Sequence, residues 1–254
     1  MKNRSLLGFG LIALAIAIAG CCKDSGLEPT PQNCLITGVI DQTGFLSMSF
    51  EYDGQGRLTR WEVDPDELYY TFSYAADKVV INSNEFGNLL QVTATLNADG
   101  RIEEWVDSDG YEGYCYYDDN GYLIEEEYYS PNYESESWTA YYSVANGNTI
   151  SRIKEYDDGQ VETTAYTCDL ALPNKEGLLC FEKDGVLHRG LPFFGQTSRN
   201  LLTKEVRTDP NQEQQIWVIS YLLDKYDYVV ERTIDITYGT SQQQLVQVFH
   251  YDCK

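Results

Sequence analysis

Tyr52-Asp53-Gly54-Gln55-Gly56-Arg57-Leu58 places a turn former and a glycine between two β-prone runs, and the pattern returns. Leu96-Asn97-Ala98-Asp99-Gly100-Arg101-Ile102, Tyr117-Asp118-Asp119-Asn120-Gly121-Tyr122-Leu123 and Val144-Ala145-Asn146-Gly147-Asn148-Thr149-Ile150 repeat it. Asp, Asn or Gln followed by Gly between such runs is a strong local hairpin signal. The distance from Gly56 to Gly100 is about twice that from Gly100 to Gly121, so a disguised turn is expected at Ala75-Ala76-Asp77-Lys78. Another is expected at Leu223-Asp224-Lys225-Tyr226-Asp227-Tyr228-Val229, where Asp227 takes the glycine's place, because Asp tolerates the left-handed conformation.

A repeat of roughly 22 residues holds two strands of about eight residues and two turns. Met48, Phe50 and Tyr52 alternate with Ser47, Ser49 and Glu51, and Val92, Ala94 and Leu96 with Gln91, Thr93 and Thr95. One face of each strand therefore packs on a core while the other meets water. No stretch of useful length has helical period with caps. The expected fold is all-β: an antiparallel up-and-down meander of repeated hairpins, curled into a barrel-like or strongly bent sheet, because a wide open sheet leaves sticky edges.

The chain's start reads as a leader. Lys2 and Arg4 precede an apolar run from Leu6 to Ala19, too short to span a bilayer, and Ile18-Ala19-Gly20-Cys21 resembles a bacterial lipobox. The expected organisation is a lipoprotein signal peptide at 1–20, a lipidated Cys21, a flexible Gly- and Pro-containing tether at 21–33, and one β domain over 34–254. Lys23-Asp24 partly matches a surface-export signal, so the expected place is the outer membrane, surface-exposed or periplasmic.

The formal charge is −22, and −24 once Lys2 and Arg4 leave with the leader. Such a polyanion disfavours nucleic acid and anionic membranes, and suits a cationic protein or a neutral glycan. Of the seven cysteines, Cys22, Cys34, Cys115, Cys168, Cys180 and Cys253 remain after Cys21. An exported chain permits disulfides, but sequence does not choose the pairing. There is no CxxC, and His188 and His250 are the only imidazoles, so neither a metal site nor any other cofactor is expected.

Several features bear on chemistry. Glu103-Glu104, Asp118-Asp119 and Glu125-Glu126-Glu127 suggest glycosidase carboxylates. Adjacent residues of a strand point to opposite faces, however, and do not converge. No Gly-x-Ser-x-Gly elbow accompanies the two histidines. Asp107-Ser108-Asp109-Gly110 has calcium-ligand character but reads better as an Asx turn. Trp61 and Trp105 hold equivalent places in the repeat. Two Pro- and Gly-containing stretches, Cys168 to Gly185 and Arg189 to Leu202, read as long ordered loops that either carry function or strap a barrel end. Trp61, Trp105, Phe193 and Phe194 are the candidate ligand-binding residues, on condition that their rings are exposed; otherwise they pack the sheet.

Two resemblances follow. The Tyr-Asp-x-x-Gly-Arg-Leu core at Tyr52 to Leu58 resembles the YD repeat of Rhs-type bacterial surface proteins. The lipobox, the Tyr-Asp hairpins, Gly147-Asn148, Asn174-Lys175, the Gly-x-x-Ser-Arg-Asn-Leu run at Gly195 to Leu201 and the Tyr-x-x-Asp-Lys-x-x-Tyr run at Tyr221 to Tyr228 come in that order. Together they are similar to a family of gut-bacterial lipoproteins of unknown function with a porin-like β fold. Leu202 in place of a proline and Asp227 in place of a glycine depart from that pattern. The resemblance implies a curled meander and no activity. Adjacent acids in the strands argue against a membrane-spanning pore. The reading is a non-enzymatic, monomeric, lipid-anchored envelope protein that binds a glycan; the alternatives are an acidic partner of a cationic protein such as lysozyme, and a glycoside hydrolase.

Overall fold

The computed structural model describes residues 34–42, 47–64, 68–132, 134–175, 183–184, 187–188 and 193–253. The leader, Cys21, Cys22, the tether and Cys180 lie outside the described residues. The strands are β1 (Cys34–Asp41), β2 (Met48–Tyr52), β3 (Leu58–Asp64), β4 (Leu68–Tyr74), β5 (Lys78–Glu85), β6 (Asn88–Leu96), β7 (Ile102–Asp107), β8 (Glu112–Tyr117) and β9 (Leu123–Tyr129). A single 3-10 turn (Glu134–Glu136) precedes β10 (Trp138–Ala145), β11 (Asn148–Tyr156) and β12 (Val161–Pro173). The two-residue strands β13 (Lys183–Asp184) and β14 (Leu187–His188) pair with each other. The chain ends with β15 (Asn200–Thr208), β16 (Gln214–Leu223), β17 (Val229–Tyr238) and β18 (Ser241–Cys253).

All strands except β13 and β14 form one closed antiparallel barrel, each beside its neighbour in sequence, with β12 beside β15 and β18 beside β1. The expected meander is therefore present, and the sheet closes. The closing register sets Cys34 opposite Cys253, and the two form a disulfide. The rim where β1 begins and β18 ends is called here the terminal rim, and the opposite one the far rim.

The repeated turn has one chemistry. Asp53 Oδ1 accepts the Gln55 and Arg57 N–H groups at 2.8 and 3.0 Å. Asn97, Asp107, Asp118 and Asp224 do the same for the residues two and four positions on. The residue three positions on is left-handed: Gly56, Gly100, Gly110, Gly121 and, with φ 63°, Asp227. This is an Asx-capped hairpin turn with a bulge. The hidden turns at Asp77 and Asp227 both join consecutive strands. The stretch around Gly147 differs from its supposed copies: Asn146 and Gly147 are both left-handed, a two-residue turn that an Asn-Gly pair favours. Phe86-Gly87 forms a second such turn that the spacing did not reveal.

Tyrosines near the terminal-rim ends of the strands also have a task. The phenols of Tyr52, Tyr74, Tyr117, Tyr221 and Tyr251 donate to the carbonyls of Ile36, Leu58, Ile102, Leu202 and Val229, at 2.6–2.9 Å. Each partner lies at or near the start of the preceding barrel strand, so a ring of tyrosines ties strands together just inside the terminal rim. Each bond contributes about 1 kcal/mol.

The interior is divided. On the side of β1–β8 it is mainly apolar, with Phe50, Trp61 and Tyr70 stacked across three strands at 6.2 and 4.9 Å and Asp41, Ser83 and Asp107 as its buried polar residues. On the side of β9–β18 it holds buried charge: Glu126, Arg152, Lys154, Glu205 and Arg232. Tyr142 donates to Glu126 (3.0 Å), and Arg232 donates twice to Gln247 (3.0 and 2.6 Å). Arg152 pairs with Glu162 at 3.5 Å and Arg207 with Glu205 at 3.2 Å. The outward positions of β2, β3 and β9 carry Glu51, Arg60, Glu62, Glu125 and Glu127. Charges on an outer wall oppose contact with hydrocarbon.

Candidate functional site

The residues expected to stack on a ligand are interior. Trp61, Trp105, Phe193 and Phe194 are 5%, 3%, 4% and 6% exposed. The equivalent repeat positions of Trp61 and Trp105 point into the barrel, so equivalent packing explains those two, and Phe193 and Phe194 are buried beneath the rim in the same way. Phe193 packs against Phe72 and Tyr74 (6.1 and 6.3 Å), while its carbonyl accepts the Ile102 N–H. Gln196 N–H donates to Gly121 and Arg199 N–H to Gly147. Residues 193–199 are thus a strap across the terminal rim. Of the first stretch expected to be a loop, Cys168 to Pro173 instead continues β12 and pairs with β15, while residues 176–182 and 185 lie outside the described residues.

The carboxylate pairs do not converge. Glu126 points inward onto Tyr142, whereas its neighbours Glu125 and Glu127 are less buried, as strand alternation requires. Asp118 caps its own turn, which pulls its carboxyl below the usual range, the Tyr122 N–H contributing most. Asp107 and Asp109 belong to an Asx turn, with both Asp107 Oδ1 contacts made by backbone N–H groups. His250 is an exposed residue of β18.

The far rim assembles what the sequence did not single out. Tyr111, Tyr128 and Trp138 stack in series at 5.7 and 5.3 Å. The Lys154 ammonium sits 4.1 Å from the Trp138 ring centre and 4.8 Å from that of Tyr156. Trp105 leans on Tyr128 from within, at 5.9 Å. The result is an aromatic ladder with a buried cation as one rung; such contacts contribute roughly 1–2 kcal/mol each when desolvated. Burial pushes the Tyr128 phenol well above its ordinary value.

A hollow of about 470 Å³ opens against this ladder. Tyr128 and Tyr156, only partly buried, give the open aromatic surface on one side, where Trp138 is just 4% exposed, and Ser135, Glu136, Asp158 and Gln160 form the polar rim. Gln160 donates to Asp158 from backbone (2.9 Å) and side chain (2.7 Å), so this edge is held in place. The arrangement offers apolar surface beside hydroxyl, amide and carboxylate groups, and no nucleophile–base pair. The signal for it lay in inward-phase aromatics at the far-rim ends of β9, β10 and β11, visible only once the strand phase is known.

No family model matches the chain, and no curated protein matches it. Among solved structures, the barrel is similar to a porin-like protein from Bacteroides uniformis ATCC 8492, with a TM-score of 0.63 and 15% identity over 89% of this chain and 97% of the other. It is also similar to a porin-like protein from Bacteroides vulgatus ATCC 8482, with a TM-score of 0.61 and 18% identity over 87% of this chain and 99% of the other. The chain shares their porin-like barrel fold.

Proposed function

We propose that this protein is a lipid-anchored, non-enzymatic envelope barrel that binds a neutral glycan at its far rim. The observation that carries the reading is the hollow where the partly exposed rings of Tyr128 and Tyr156 adjoin Ser135, Asp158 and Gln160. Sugars present apolar C–H faces and a fringe of hydroxyls, and this combination of walls matches both. The anchor is the lipid on Cys21, which holds the barrel at the outer membrane, facing the surface or the periplasm.

A glycan array with the lipid-free domain tests the binding, and Tyr156→Ala should weaken the best hit about ten-fold while the melting temperature stays within a few degrees. An unchanged affinity, or an array without hits, removes the reading. Radiolabelled palmitate should enter the full chain and be lost in Cys21→Ala.

One observation favours a second reading, an acidic partner of a cationic protein. Among the described residues, the far-rim connections 86–87, 108–111, 157–160, 209–213 and 239–240 contain no Lys or Arg. Salt separates the two: binding of a cationic protein should fall steeply between low and high ionic strength, and binding of a neutral glycan should not.

A further inference from the structure

We propose that the strap at the terminal rim forms a second binding site, for a hydroxyl-rich ligand bearing one carboxylate, such as a uronic-acid sugar unit. A hollow of about 370 Å³ lies between the strap residues 196–199, Asn174 and the turn residues Asn120 and Tyr122. Apart from Arg199, every lining side chain is an amide or a hydroxyl. Such groups both donate and accept, as sugar hydroxyls do.

Arg199 is the one charged residue of the lining. It is exposed, and it is also unusual among the described arginines. Arg57, Arg60, Arg101, Arg152 and Arg207 each have a carboxylate within 4 Å, and Arg232 is held by Gln247. Arg199 has neither. In a chain of net charge −22, an arginine without an acid beside it is conspicuous.

The guanidinium is also positioned. The Arg199 N–H donates to Gly147 at 2.9 Å, and its carbonyl accepts the Asn174 N–H at 2.8 Å. Its stem crosses Gly147 so closely that a Cβ there would lie 2.4 Å from Arg199 Cδ. Ser198 is fixed as well: its Oγ accepts the Thr149 N–H (3.1 Å) and its carbonyl accepts Asn174 Nδ2 (3.0 Å). Gln196 is tied to Gly121 at 2.8 Å. The site is therefore formed before the ligand arrives, which lowers the ordering cost of binding.

The chemistry follows from the count of charges. Guanidinium takes a carboxylate through two parallel hydrogen bonds. A single cation neutralises a single anionic group. A polyanion would meet the field of the acidic chain without further compensation.

Ligand-observed NMR and titration of the detergent-solubilised full chain test this with three probes: methyl glucuronoside, methyl glucoside and glucose 6-phosphate. The glucuronoside should bind at least ten-fold more tightly than either of the others. Arg199→Gln should abolish that preference, and Arg199→Lys should restore part of it, keeping the charge but not the two-pronged geometry. Arg199 is exposed, so both variants should melt like the parent. Equal binding of glucuronoside and glucoside, tighter binding of the phosphate, no binding of the glucuronoside, or an Arg199→Gln variant that keeps its preference would each overturn the proposal. The same titrations in Tyr156→Ala separate the two sites: the Arg199-dependent preference for the glucuronoside should persist there, and its loss would overturn the proposal.

Discussion

At the scale of single residues, small side chains and left-handed positions decide most. Gly113 faces Trp105 across β7 and β8, and a Cβ built on it would lie 2.2 Å from the Trp105 Nε1. Indole and strand backbone have nowhere to retreat, since Tyr128 backs the ring. Gly113→Ala should therefore cost about 1–3 kcal/mol through overpacking, read as a lowered denaturant midpoint. Loss of less than half a kcal/mol would show that the indole moves freely. Gln212 gives the opposite case. It holds φ 68° in the exposed turn between β15 and β16, the place a glycine takes in the sister turns. Gln212→Gly should raise stability by roughly 0.5–1 kcal/mol, left-handed strain outweighing the added chain entropy. A fall in the melting temperature would contradict it.

At the scale of elements, Asx-capped turns and five of the 21 tyrosines tie neighbouring strands together. Asp caps the turn, and Tyr reaches back to the start of the preceding strand. Burial pushes the Tyr52 and Tyr74 phenols up to about 12 from an ordinary 10.0. The folded state thus favours the neutral phenol. Its stabilisation is complete below pH 10 and is lost as the pH rises from 10 to about 12. Tyrosinate absorbance and circular dichroism followed through that window should change together. Tyrosines ionising near pH 10 with the β signal intact would refute the coupling. The hairpins were legible because Asp, Asn and Gly act over a few residues. The strap's placement was not, because Phe193, Gln196 and Arg199 meet partners far away in sequence, on β4, β7 and two turns. The buried charges escaped notice for a related reason. Glu126, Arg152, Lys154, Glu205 and Arg232 look like ordinary surface residues until strand phase turns them inward.

At the scale of the whole molecule, closure is the event that organises everything else. The Cys34–Cys253 disulfide joins residues 219 apart in sequence, at the seam between β1 and β18. Cross-linking so long a loop restricts the unfolded chain and contributes on the order of 2–5 kcal/mol. The Cys34→Ser, Cys253→Ser double variant should lose that much in chemical denaturation while keeping its β spectrum. An unchanged midpoint would mean that strand pairing alone secures the seam. Closure also separates two rims of different character, a far rim with an aromatic ladder and a terminal rim crossed by a strap whose Arg199 meets no carboxylate among the described residues.

What the sequence determined by itself was local: period-two alternation, Asx and Asn-Gly turns and therefore an antiparallel meander, including the two turns hidden at Asp77 and Asp227. These follow from backbone sterics and hydrogen bonds within a few residues. Only the tertiary structure decided that the meander closes and which cysteines meet. It decided too that Trp61 and Trp105 face inward, while Tyr128, Trp138 and Tyr156 reach a hollow. Strand phase, register and curvature set those outcomes, and they are settled by contacts between residues that the chain keeps far apart.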